Sequence, residues 1–146
     1  MDIRRATRDE IVEVTALLDT SGLPPLPAGI PLSNVLVGRE GGSVIGVIAL
    51  EVVARRGLSL WAAVSAEHRG KGLGTSLGRS LIARSQELGL RELYTAPGEA
   101  SDFFVKLGFS PISRGAVPDD VAFRRAFPDE LDDSAEIMRL DLEARI

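Results

Sequence analysis

Residues 67–77 read EHRGKGLGTSL and set three glycines at alternate positions, Gly70, Gly72 and Gly74. The apolar run LSLWAAV precedes them, and leucines at helical spacing follow. So bare a stretch between a strand and a helix is a junction whose loop needs unusual backbone angles. Its physical meaning is anion binding. Amides of the first helical turn lack partners within the helix, and the positive end of the helix dipole lies among them. Glycine puts no Cβ between that backbone and a phosphate, and consecutive amides can turn inward as a nest. A plain tight turn is the alternative, but Arg69 and Lys71, on either side of Gly70, favour the anion.

Two familiar nucleotide motifs fail on this stretch. A P-loop needs GxxxxGK[ST], and here Lys71 precedes the second glycine. A dinucleotide fingerprint needs GxGxxG, yet the sixth place falls on Thr75 or Leu77 in the two available frames. That fingerprint also opens an early βα unit, whereas this loop lies near mid-chain.

At 146 residues one domain, 1–146, is expected, large enough for a real core. A net charge of −4 argues against generic binding to nucleic acid or an anionic membrane. With no cysteine, disulfides, thiolate zinc sites and cysteine nucleophiles are excluded together. His68 is the one histidine, so no metal site is expected. The charged start MDIRRATRDE has no apolar signal-peptide core. The longest apolar run, Val44 to Leu50, is seven residues, where a membrane span needs about 20. A soluble, cytoplasmic protein is expected.

Along the chain, residues 2–6 make a short strand. Thr7 to Glu10 fits a capping box, followed by Ile11, Val14, Leu17 and Leu18 at helical spacing, which predicts a helix over 8–19. Four prolines within residues 21–33 exclude a long helix there and leave a connector or a substrate lid. Residues 34–40 read as a strand, Gly41-Gly42 as a hairpin turn, and the nearly all-apolar SVIGVIALEVV as a returning strand covered on both faces. A break at 55–57 leads into a third strand, LSLWAAVSA. Leu73, Leu77, Leu81 and Leu88 mark one helix face, with Gly89 as its terminator. RELYTA reads as a strand, SDFFVKLGF as a short helix running into a strand near 109–113, 115–133 as irregular, and SAEIMRLDL as the last strand. The order is β–α–loop–β–β–β–α–β–α–β–β, with a right-handed βαβ crossover over 58–96 that sets two strands side by side and parallel.

Here the residues reach a resemblance. Arg69 to Gly74 is similar to the [R/Q]-x-x-G-x-[G/A] signature of the GCN5-related N-acetyltransferase family. The preceding strand LWAAVSAEH, the downstream DFFVKLGF and the element order resemble that family over nearly the whole chain. IRRAT, SGLP, GVIALE and SAEIM resemble a subgroup known as arsenic-resistance N-acetyltransferases. The resemblance implies an α/β acyl-CoA N-acyltransferase fold: a mixed, mostly antiparallel sheet with splayed parallel central strands and helices on both faces. It implies direct acetyl transfer from acetyl-CoA to a small-molecule amine or amino-acid-like substrate, with no metal. By the same resemblance the backbones of Ala62 and Val64 take the pantetheine. Amides across Gly70, Lys71, Gly72, Leu73, Gly74 and Thr75 take the pyrophosphate, and Arg69 and Lys71 add charge.

The catalytic residues depart from that pattern. Many members carry a tyrosine where this chain has Phe104, which cannot protonate a leaving thiolate. Phe103 and Phe104 are expected to pack in the core and against the cofactor. Tyr94, the chain's one tyrosine, is the candidate acid, and the thiolate could also leave unaided. Glu51, at the end of an apolar strand, is the candidate base. His68 is expected at the surface or the cofactor rim, Glu67 and Asp102 in solvent, and Trp61 in the core or a cleft wall. Arg55 and Arg56 are either a charged turn or a grip on a substrate carboxylate. TAPGEAS lacks the asparagine many members use on the cofactor, leaving Ser101 as a substitute. Loss of the usual tyrosine keeps a second function open, an acyl-CoA-sensing module without turnover. The last strand follows a long irregular stretch and could pair across chains, so a homodimer is open.

Overall fold

The computed structural model describes residues 2–97, 100–119 and 136–143. Its elements are β1 (Asp2–Arg5), α1 (Ile11–Thr20), β2 (Val35–Glu40), β3 (Ser43–Val53), β4 (Arg56–Val64), α2 (Leu73–Glu87), β5 (Glu92–Thr95), α3 (Ser101–Leu107), β6 (Ser110–Ile112) and β7 (Ile137–Asp141). This is the order the sequence predicts. The strands form one mixed, mostly antiparallel sheet in the order β1-β2-β3-β4-β5-β7-β6. By packing, the chain divides into two compact units, one of Met1–Leu50 with Trp61–Leu81, the other of Glu51–Leu60 with Ile82–Ile146.

In the first unit, α1 starts where Thr7 and Glu10 dictate. The Thr7 amide donates to Glu10 Oε1 at 2.8 Å, and one turn of 3-10 helix, Arg8–Glu10, leads into α1. Val14, Leu17 and Leu18 are its buried face. Gly22, at φ 73°, ends it, with the Leu23 amide bonded back to the Leu18 carbonyl at 2.9 Å. The proline segment holds a single 3-10 turn, Leu32–Asn34. β2 and β3 meet at Gly41-Gly42, both with positive φ, the conformation a two-residue hairpin turn requires. Seven consecutive residues of β3, Val44 to Leu50, are buried, as a strand covered on both faces should be.

In the second unit β4 and β5 run parallel, with Arg56 opposite Glu92 and Leu58 opposite Tyr94. The register stops there, although β4 continues to Val64. Just beyond it the Thr95 hydroxyl donates to the Ser59 carbonyl at 3.1 Å, so a side chain takes over where backbone pairing ends. β7 enters between β5 and β6, antiparallel to both. Among the described residues, no helix is long and apolar enough to cross a membrane.

Some boundaries differ from expectation. The turn after β3 falls at Ala54 and Arg55, with Ala54 at φ 56°, and Arg56 and Gly57 already belong to β4. Leu88 is 40% exposed rather than on the buried face of α2, because the helix ends at Glu87 and the chain turns at Gly89. Leu73, Leu77, Leu81 and Ile82 carry that face instead. Most of the expected irregular stretch 115–133, and Ser134 and Ala135 of the last strand, lie outside the described residues.

Candidate cofactor and catalytic site

The glycine loop joins β4 to α2. Gly70 and Gly72 take φ 78° and 83°, the left-handed region where side chains are strained. A Cβ built on either would meet nothing within 4 Å, so open space lies over the loop backbone. Gly74 is different, being already part of α2. The Ser76 amide bonds the Gly72 carbonyl at 3.1 Å. The amides of Leu73, Gly74 and Thr75 therefore precede the helical ladder and point out of its N-terminal end. Arg69, Gly70, Lys71 and Gly72 are exposed. Two cationic side chains, a bare backbone and the positive end of a 15-residue helix meet here, and a phosphate group fits them.

The helix start is seated by two glycines that sequence reading passed over. Gly38 on β2 and Gly46 on β3 are register partners. A Cβ on Gly38 would lie 3.0 Å from Leu73 Cδ1, and one on Gly46 would lie 2.8 Å from Leu77 Cδ1 and 3.1 Å from Leu73 Cδ2. The pair makes a notch in the hairpin into which the first turns of α2 sink. A glycine inside an otherwise apolar strand signals such a close approach.

Two side chains anchor the loop. Arg69 Nε donates to the Val64 carbonyl at 3.1 Å. His68 reaches both ways, with Nδ1 2.6 Å from Ser65 Oγ and Nε2 3.1 Å from Glu40 Oε2. The histidine thus sits on the loop and bonds to a strand end. Ala62 and Val64, whose backbones the resemblance gives to the pantetheine, are half-buried. Trp61 lies in β4, and its side chain is outside what is described.

The second unit holds both candidate catalytic residues. Glu51 is half-buried in β3, and its Oε1 is buried with no hydrogen-bond partner among the described residues. Leaving a carboxylate oxygen unpaired out of water is costly, and such an atom is suited to receive a donor from a ligand. Tyr94 is buried. Burial pushes its hydroxyl pKa up, the charge and hydrogen bond of Glu92 add to this, and Arg139 opposes it. The Tyr94 hydroxyl therefore keeps its proton at neutral pH and is engaged by Glu92 and Arg139, the latter opposite it on β7.

Among the remaining candidates, Phe104 is buried, with its ring edge-on to Phe109 at 5.2 Å and to Phe103 at 5.1 Å. Arg56 pairs with Glu92 at 2.9 Å, while the Arg55 side chain is exposed. Ser101 Oγ donates to Glu136 at 3.0 Å. Glu67 and Asp102 are exposed, as expected. No group of three His, Cys, Asp or Glu side chains able to hold a metal occurs among the described residues.

A search of curated proteins finds no match to the chain. Solved structures do match. N-acetylglutamate synthase from Neisseria gonorrhoeae, solved with coenzyme A and N-acetyl-glutamate, is 21% identical over 97% of this chain and 35% of its own, with a TM-score of 0.79. The chain thus spans about a third of that synthase. A Mycobacterium tuberculosis protein solved with CoA gives 0.77 at 21% identity, over 97% of this chain and 99% of that one. GCN5 from Tetrahymena gives 0.71 at 19%, over 97% and 96%. At these identities the likeness shows the fold, the mixed sheet with helices of the acyl-CoA N-acyltransferases. A family model described as an acetyltransferase (GNAT) domain matches residues 31–111, from the end of the proline segment through the glycine loop to β6. With more than half of its length inside that match, the chain belongs to the GNAT family of acetyltransferases.

Proposed function

We propose that this protein is an acetyl-CoA-dependent N-acetyltransferase acting on a small amine or amino-acid-like substrate. The observation that carries this reading is the open, glycine-lined backbone at the start of α2, where Gly70 and Gly72 leave room above free amides. In this reading the amides of Gly70 to Thr75 hold the pyrophosphate of CoA, Arg69 and Lys71 add charge, and the backbones of Ala62 and Val64 hold the pantetheine. Acetyl-CoA supplies an activated thioester, so no side-chain nucleophile is required.

The protein's contribution is placement and proton transfer. Holding amine and thioester together is worth up to about 7–11 kcal/mol in ideal cases. Glu51 is the proposed base: its unpartnered Oε1 accepts a hydrogen bond from the incoming amine and takes its proton. Tyr94 is the proposed acid for the leaving thiolate. Loss of that proton donor in Tyr94→Phe is expected to lower kcat about 10²-fold. An unchanged kcat would mean the thiolate departs unaided.

The test is turnover. Acetyl-CoA is incubated with a panel of amines and amino acids, including arsenical and phosphinic amino acids suggested by the subgroup resemblance. Free thiol is followed by colour and the acetylated amine by mass. Amine-dependent thiol release with a matching acetyl product supports the reading. CoA binding without acetyl transfer to any amine, even in a single turnover, would leave a sensing module in its place.

A further inference from the structure

We infer that His68 is a positioning residue for the cofactor: its ring bridges Ser65 to Glu40 and holds the glycine loop in its anion-binding shape. The inference rests on the proposed reading of that loop as the CoA pyrophosphate site. Little else holds the loop in place. Glu67, Arg69, Gly70, Lys71 and Gly72 are exposed, and a Cβ on Gly70 or Gly72 would touch nothing. Among the described residues, backbone bonds pin its two ends, Ser65 to the Ile45 carbonyl at 2.8 Å and the His68 amide to the Ser65 carbonyl at 2.9 Å at one, the Gly72 carbonyl to the Ser76 amide at 3.1 Å at the other, and leave Arg69 to Lys71 between them. Arg69 folds back on Val64, within the same strand–loop segment.

His68 differs from all of these. Among the described residues, its contact with Glu40 is the side-chain bond that ties residues 65–72 to another element, the end of β2 beside the Gly41-Gly42 turn. The Nε2 proton can be assigned from its partner. A carboxylate only accepts, so Nε2–H donates to Glu40, and Nδ1 shares the second hydrogen bond with the Ser65 hydroxyl. Both ring nitrogens are then used, and the His68 side chain is 22% exposed against 57% for Glu40. A ring tied at both ends fixes where the chain enters Arg69 and Gly70, and so where the amides beyond them point.

The experiment is calorimetric titration of CoA into the wild type and into His68→Ala, His68→Gln, His68→Asn, Glu40→Gln and Glu40→Ala, with the melting temperature of each measured alongside. Removing both ring bonds in His68→Ala should weaken CoA about tenfold, the worth of two ordinary hydrogen bonds. Gln can reach Glu40 and Asn can reach Ser65, so each should recover part of that loss. Glu40→Gln keeps an acceptor for Nε2–H and should stay near the wild type, whereas Glu40→Ala should weaken binding. A wild-type Kd in His68→Ala overturns the inference, whatever its melting temperature. So does a loss that neither Gln nor Asn repairs, since ring volume would then be the cause. If His68→Ala does not fold, exposed Glu40 carries the test, and unchanged binding in Glu40→Ala overturns it. A wild type that does not bind CoA overturns the reading of the loop itself, and this inference with it.

Discussion

Glu51 and Gly46 show how one residue's surroundings separate stability from function. The Glu51 carboxylate has a buried, unpartnered oxygen, so in the folded protein it is a liability. Glu51→Gln keeps the shape and removes the charge. The melting temperature should hold or rise, while turnover falls roughly 10²- to 10⁴-fold, the usual worth of a general base. Equal activity in the variant would remove Glu51 from the mechanism. Gly46 behaves oppositely, as a packing residue with no chemistry. Its missing Cβ makes room for Leu73 and Leu77, at 3.1 and 2.8 Å from where that carbon would stand. Gly46→Ala should cost about 1–3 kcal/mol by overpacking, seen as a lower denaturation midpoint at unchanged slope. The sequence made the loop glycines conspicuous through their spacing and basic neighbours. Gly38 and Gly46 are marked only as glycines inside apolar strands, and what comes close to them exists only once β2 and β3 pair and α2 lies across them.

At the level of elements, local chemistry was readable wherever it acts over a few residues. Thr7 and Glu10 announce α1, Gly41-Gly42 the hairpin, and Gly89 the end of α2. The partners beyond those few residues were not readable. Glu10 is more than a cap, since it is buried and paired with Arg4 at 3.0 Å and Arg39 at 2.5 Å, which ties α1 to β1 and β2. Burial alone would raise its pKa; the Thr7 amide, Arg39 and Arg4 outweigh it and hold the carboxyl below the ordinary carboxylate value. A group whose pKa is lower in the folded chain stabilises fully above its unfolded pKa, and that stability fades as pH falls through the folded value. Glu10→Gln should therefore melt below the wild type at neutral pH, with the gap closing below about pH 4.5. A gap that stays constant down to acid would mean that charge is not what Glu10 contributes. The misplaced turn after β3 has a similar cause. Arg55-Arg56-Gly57 looks like a break, but Arg56 finds Glu92 across the parallel pair and is drawn into β4.

For the whole molecule, element order was legible and strand neighbours were only partly so. Hairpins declare themselves by their turns, and one helix between two strands declares a parallel pair. Nothing local says that β7 inserts between β5 and β6, because that pairing follows a long stretch of chain and is settled by what the β5 edge can accept. The functional reading likewise depends on assembly: a βα junction binds an anion only if the helix start is seated and the loop above it stays bare. The most direct test is a melting-temperature titration with CoA, with ATP and NAD as controls. A ligand at 100 times its Kd stabilises by about 2.7 kcal/mol, so CoA should raise the transition by several degrees while ATP and NAD at equal concentration give little or none. No shift at millimolar CoA would reduce the three glycines to a turn and contradict the account at its centre.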